Sequence, residues 1–354
     1  MILLAKLMNT LAAVLVNIHK PLVLLNLDFP KLIPGQVLID IAYSGVCRSQ
    51  INEIDGLKGE DKFLPHTLGH EGSGIVIDTS QDVTKVRPGD HVVLSWLKGT
   101  GLNVTSTVYQ SPIGKVNSGS ISTFMKSTII SENRLTVIPD SMPLREAALL
   151  GCALPTGAGI VLNNAKLQPG NSIAIFGLGG IGFSALLAAI ISGAGLIIAV
   201  DVVEDKLINA TLTGATHSIN PLYQDVIHEI QKLTNGVGVD FSIEAAGRKQ
   251  SMEFAFKSVK PNGGKCILAG NLPKDQTISI DPIDLIYGRR IVGSFGGETN
   301  TDADIPKYAE WFLSKKLPLS GMVTNEYCLN EINDAIIDLK NGGRTRTLIN
   351  MSLL

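Results

Sequence analysis

Residues 172–191 read SIAIFGLGGIGFSALLAAII. A short apolar run (173–176) meets Gly177-Leu-Gly179-Gly180-Ile181-Gly182, and an apolar run of helical length continues to residue 191. The spacing G-x-G-x-x-G is weak evidence alone, because glycine-rich turns often do nothing but turn. Here the turn joins a strand pattern to a helix pattern, and the next apolar run (196–200) ends at Asp201, about 20 residues on, where a dinucleotide site needs an acid. Glycines let the backbone approach a pyrophosphate seated on the positive end of the helix. The Asp201 carboxylate can accept bonds from the adenosine ribose hydroxyls, and it repels a 2′-phosphate. The expected cofactor is therefore NAD rather than NADP. A second role is open to Asp201, as a cap on the next helix with Glu204 completing a capping-box-like pair.

Outward from this motif the rhythm persists. Residues 171–200 carry no charged side chain, a run long enough to raise a membrane span, but its glycines divide it into strand, turn, helix (181–191) and strand (196–200). Beyond about Cys152, the strand-like runs SIAIF, LIIAV, VDFSIEAA, KCILAG and IVGSFGG alternate with helix-like segments at 184–192, 204–213, 226–234 and 249–259. That alternation predicts βαβ units and a parallel sheet. Before about Pro139, short β-branched runs alternate with Gly and Pro turns (PGQV, VRPGDHVVL), which predicts a mostly antiparallel β domain. After Thr301 the pattern is helix, strand, helix, strand. No internal repeat or low-complexity tract interrupts it.

A length of 354 residues suggests two domains. Hydrophobic residues make up 45% and charged residues 18%, and the mean hydropathy is +0.25, enough apolar material for a large core. A net charge of −2 with scattered Lys and Arg leaves no footprint for nucleic acid or anionic membrane. The start, MILLAKLMNTLAAVLVNIHK, lacks a basic region ahead of its apolar part and a small-residue cleavage site, so a first strand is expected there, with Met8 a candidate start. Cys47, Cys152, Cys266 and Cys328 lie far apart, so reduced thiols and a cytoplasmic location are expected.

Two of those thiols have a suggestive third partner. Cys47 sits in GVCRSQIN, His70 and Glu71 in LPHTLGHEGSG, and Cys152 in LLGCALPTGAG. Two thiolates and a neutral imidazole form a Cys₂His set, which holds Zn²⁺ and leaves one position open for substrate. Singly, each has a duller reading: a small core filler for either cysteine, a satisfied turn residue for His70. In a chain already committed to a dinucleotide, the combination favours the metal.

GVCRS, GHEGSG, VRPGDHV, GCALPTG, GLGGIG, Asp201, GVDFSIEAAG, GSFGG and RTRT follow one another in the order found in zinc-dependent medium-chain alcohol dehydrogenases. The chain resembles that family over nearly its full length. The resemblance implies an α/β protein with a GroES-like β-rich catalytic domain (1–153 and 297–354) and a Rossmann doubly wound parallel-sheet domain (154–296). It implies that Cys47, His70 and Cys152 hold a catalytic zinc with Glu71 behind it, and that Ser49 bonds the reacting alcohol oxygen. It also implies that Arg48 and Arg346 bind the cofactor phosphates and that Lys206 lies near the adenosine ribose. Trp96 and Phe124 become candidates for the substrate pocket wall, with core packing the alternative, above all for Phe124.

Three departures from the family pattern stand out. Gln50 replaces an acid that supports the histidine ligand. Asn52 replaces a histidine that ends a proton relay in some relatives. Residues 96–120 contain no cysteine, whereas many relatives bind a structural zinc there, so one zinc per chain is expected. The implied reaction is hydride transfer between an alcohol and NAD, with aldehyde or ketone in reverse. A zinc-free quinone or enone reductase of the same fold would leave the Cys₂His set unexplained, and a non-catalytic NAD-binding protein draws support only from Gln50 and Asn52. The partners expected are a small alcohol or aldehyde and, through the IVGSFGG strand, a second copy in a homodimer or tetramer.

Overall fold

The computed structural model describes residues 9–342 and 346–353. Met8 and the first half of RTRT lie outside the described residues. The chain divides into two compact units, one of Met1–Cys152, Asn300–Lys315 and Leu319–Leu354, the other of Ala153–Thr299 with Lys316–Pro318. The division after Cys152 falls one residue before the expected boundary. The return to the first unit comes at Asn300 rather than 297, because Gly297 is still packed on the backbone of Pro155 and Thr156.

The second unit is built on a six-stranded sheet that is parallel throughout, its strands in the order His217–Ile219, Leu196–Val200, Ser172–Phe176, Phe241–Glu244, Lys265–Leu268, Arg290–Gly293. The chain starts in the middle, winds outward one way and then the other, which is the strand order of a dinucleotide-binding sheet. Ser172–Phe176 and Leu196–Val200 are buried after their first residue, which explains their continuous Ile, Val and Ala. Helices follow at Gly180–Ile191, Glu204–Thr213, Val226–Leu233 and Lys249–Ser258, within a few residues of the expected ranges. Asp225 caps the third, accepting from the N–H groups of Ile227 and His228 at 3.0 Å each. His217–Ile219 and the helix Pro282–Ile286 were not expected, since three- and five-residue elements are too short to carry a period.

The first unit holds a closed barrel of Asn9–Leu15, Val23–Asp28, Val108–Ser111, Gly114–Asn117 and His66–Thr67. Beside it runs a sheet in the order Leu135–Val137, His91–Ser95, Glu71–Thr79, Gln36–Val46, Arg346–Asn350, Val323–Cys328, with Ser127–Ser131 also paired to Gln36–Val46. Pairing is antiparallel as expected, except where Val323–Cys328 meets Arg346–Asn350 and where His66–Thr67 meets Gly114–Asn117. The expected helix–strand–helix–strand tail is Thr301–Leu313, Val323–Cys328, Ile332–Lys340 and Arg346–Asn350. One apolar core, including Leu15, Ile39, Leu94 and Phe124, fills this unit, and a second, including Phe176, Ile198 and Ile230, fills the other. Among the described residues no single helix is long and apolar enough to cross a membrane.

Candidate active site

Strand pairing brings the ligand-type residues together. Gln36–Val46 ends at Cys47, which is also the N-cap of the short helix Arg48–Ile54. Glu71–Thr79 lies antiparallel beside it with Ser44 opposite Gly72, so His70 emerges next to Cys47. On its other side Glu71 faces Ser95, whose hydroxyl donates to the Gly151 carbonyl at 2.7 Å and so holds the turn that ends in Cys152. The ligand atoms of Cys47, His70, Glu71 and Cys152 all lie within 4.8 Å of one another. The bond with Cys152 and, further, the charges of His70 and Arg346 hold the Cys47 thiol well below its ordinary value, against the opposing effect of burial.

Glu71 is fully buried, and Gly45 and Gly151 make the room for it. A Cβ at Gly45 would lie 2.6 Å from Glu71 Cδ, and one at Gly151 would lie 2.8 Å from Glu71 Cβ. The carboxylate pairs with Arg346, while its Oε2 has no hydrogen-bond partner among the described residues. This placement differs from the phosphate-binding role expected of Arg346. Thr347 pairs with Val46, which sets Arg346 beside Cys47, and a guanidinium that is 5% exposed requires an anion there. The donor set fits zinc: two thiolates, an imidazole and an under-bonded carboxylate surround one point, and a dication together with Arg346 balances their charge.

Gln50 spans Cys47 and His70. Its Oε1 accepts from the Cys47 N–H at 2.9 Å, and its Nε2 lies 2.6 Å from His70 Nδ1. With Nδ1 taken by the amide N–H₂, Nε2 is the His70 nitrogen that can reach a metal, and it must shed its proton to do so. The first of these bonds escaped the sequence reading, although a Gln at the third position of a helix after its N-cap is a capping signal.

The other expected residues divide between the two units. In the first, Ser49 is half-buried and Arg48 exposed in the first turn of Arg48–Ile54, with Asn52 half-buried further along. Trp96 is half-buried against the core, and Phe124 has no exposed surface and belongs to that core, not to a free wall. In the second, Gly177 to Gly182 form the turn into Gly180–Ile191. A Cβ at Gly182 would lie 1.7 Å from the Gly177 carbonyl oxygen, so no other residue fits. Asp201 accepts from Leu178 N at 2.6 Å and Val203 N at 3.0 Å, which ties the glycine turn to the end of Leu196–Val200. The capping pair with Glu204 does not form: the N-cap of that helix is Val203, and Glu204 accepts from Asn220 Nδ2 at 3.2 Å. Lys206 is half-buried in the first turn of the same helix.

Comparison with known proteins covers both units. Residues 33–140 match the alcohol dehydrogenase GroES-like domain family, and residues 180–314 match the zinc-binding dehydrogenase family. An alcohol dehydrogenase zinc-binding domain protein from Burkholderia ambifaria is 27% identical with a TM-score of 0.90, over 97% of this chain and 98% of that one. Benzyl alcohol dehydrogenase from Acinetobacter calcoaceticus is 29% identical with a TM-score of 0.88, over 97% and 99%. 2R,3R-butanediol dehydrogenase from Bacillus subtilis shares the fold at 24% identity and a TM-score of 0.79, over 96% and 99%. Matched in each of its units and along nearly all of its length, this chain belongs to the zinc-dependent medium-chain dehydrogenase family, whose members are oxidoreductases.

Proposed function

We propose that this chain transfers a hydride between an alcohol and NAD, with an aldehyde or ketone as the partner in the reverse direction. The observation that carries the reading is the convergence of Cys47, His70 and Cys152 from three separate loops. Zinc held by these residues supplies the electrophile that acidifies an alcohol, and NAD on the turn from Gly177 to Gly182 supplies the hydride acceptor. Ser49, two residues on from Cys47, accepts the hydroxyl proton and passes it towards solvent. Arg48, exposed and permanently charged, neutralises cofactor phosphates. Asp201 receives the ribose hydroxyls and repels a 2′-phosphate, with Lys206 close by on the following helix. Glu71 and Arg346 hold the metal ligands from behind. Trp96 remains the candidate for the pocket wall.

The reading extends to assembly and location. A homodimer formed edge to edge through Arg290–Gly293 is supported by Ile286 (74% exposed), Tyr287 (61%) and Phe295 (74%) beside that open edge. Four free thiols support the cytoplasm.

The test is elemental analysis with X-ray absorption on wild type and Cys47→Ser, followed by turnover of an alcohol panel, benzyl alcohol included, with NAD and NADP. Sulfur-bound zinc that disappears on substitution, with NAD-linked turnover, is expected. Enone reduction by a chain without sulfur-bound zinc would replace this reading with that of a zinc-free reductase.

A further inference from the structure

The strand order of the second unit reverses between Ser172–Phe176 and Phe241–Glu244, and in an open parallel sheet a ligand lies in the crevice outside such a reversal. Glu244 ends its strand at that point and has no exposed surface. The loops after Phe176, Glu244 and Leu268 meet around it. Its Oε1 accepts from Ala246 N at 3.0 Å and Gly247 N at 2.9 Å, and its backbone carbonyl accepts from Ala269 N at 2.8 Å and Gly270 N at 3.0 Å. The first loop rests on the second, since a Cβ at Gly177 would lie 2.7 Å from Ala246 N. The second rests on the third: a Cβ at Gly270 would lie 2.4 Å from both Glu244 Oε2 and Gly247 N.

A carboxyl in this place is costly. Burial raises it above the ordinary carboxylate value, against bonds from Ser251 and from the N–H groups of Gly247, Ala246 and Arg248. An apolar side chain would avoid that cost, but it would leave Ala246 N and Gly247 N without their acceptor. The glutamate therefore serves the loops rather than the core. The turn from Gly177 to Gly182 has a separate anchor, Asp201 on Leu178 N at 2.6 Å.

A dinucleotide with its adenosine ribose at Asp201 and its pyrophosphate on the glycine turn extends across the reversal. Its nicotinamide half then comes over the ends of Phe241–Glu244 and Lys265–Leu268. We propose that Glu244 is a positioning residue for that half, fixing the backbone of residues 245–247 and 269–271 as the floor on which the nicotinamide and its ribose settle. The inference rests on the NAD-linked reading above. It requires the two halves of the cofactor to respond differently when the carboxyl is lost.

The experiment is calorimetry on the zinc-loaded full chain with NADH and with ADP-ribose, which lacks the nicotinamide, and the fluorescence of bound NADH as a second signal. Glu244→Ala is expected to weaken NADH about 10-fold or more, because two N–H groups lose their acceptor, and to leave ADP-ribose within about 2-fold. Glu244→Gln keeps an acceptor oxygen and should restore most of the NADH affinity. Gly270→Ala leaves the carboxyl in place but wedges the two loops apart, so it should weaken NADH selectively too, and it decides the matter if Glu244→Ala does not fold. NADH and ADP-ribose weakened alike, or neither weakened, overturns the inference alone. Wild type that binds neither nucleotide overturns the NAD-linked function and this inference with it.

Discussion

Gln50 faces a conflict that a carboxylate in its place would not. Its carbonyl oxygen is committed to the Cys47 N–H, so its amide N–H₂ turns to His70 Nδ1 and asks that nitrogen to accept. A His70 that accepts at Nδ1 carries its proton on Nε2, the nitrogen that must be bare to bind zinc. Metal binding therefore requires the amide to turn over and give up the Cys47 bond. Gln50→Glu offers one oxygen to Cys47 and the other to a protonated Nδ1. It should tighten zinc roughly 10-fold or more, within the range by which such supporting residues act. Chelator competition at neutral pH measures this, and unchanged affinity would refute the tautomer argument. Asn52 is the second departure. An amide cannot take up a proton, so Asn52→His should add an ionisation to the pH profile of turnover near the ordinary histidine value of about 6.5. A profile that stays the same from pH 5 to about 8 rules out a relay at that position.

Residues 96–120 lack the cysteines many relatives use to bind a structural zinc, and the start of that stretch is held by carboxylates. Glu132 is 1% exposed and accepts from the backbone N–H groups of Thr84, Lys85 and Leu102 at 2.9, 3.0 and 2.8 Å. Asp302 accepts from Thr100 N at 2.6 Å and pairs with Lys85, and the Asn133 carbonyl accepts from Gly99 N at 2.8 Å. Burial opposes ionisation of Glu132, but its bonds from Leu102, Lys85 and Thr84 outweigh that and lower its pKa. A depressed carboxyl stabilises the fold fully above its unfolded value, about 4.3, and loses that contribution as pH falls through the folded value. Glu132→Gln should cost about 1–3 kcal/mol at neutral pH, because an amide nitrogen then faces a buried donor. The gap in thermal midpoint between variant and wild type should close as the solution is acidified from pH 6 to about 3. A gap independent of pH would mean that the charge of Glu132 does not hold the loop.

The strand Arg290–Gly293 ends the six-stranded sheet and leaves its outer edge unpaired among the described residues. If the chain pairs through Arg290–Gly293, Phe295→Asp sets a charge beside that edge and should convert the dimer to monomer in light scattering while leaving zinc content as it was. A variant that stays dimeric moves the interface elsewhere. Much of this architecture could be read before folding. Period-2 and period-3.6 patterns are local, so they specified the parallel sheet, four of its helices and the tail from Thr301 onward. The glycine turn around Gly177 was equally legible, because its spacing is local, and Cys47, His70 and Cys152 could be singled out by residue type before the fold brought them together. What lay beyond the sequence was every feature that depends on strands far apart meeting in one register. The pairing of Thr347 with Val46 turned Arg346 towards Glu71, Gly45 and Gly151 proved to be spaces for that same carboxylate, and Phe124 went into the core. His66 joined Glu53 and Asp61 through a barrel strand only two residues long. Such contacts are selected by the packing of the whole chain, and a local pattern carries no record of which distant residue will stand opposite.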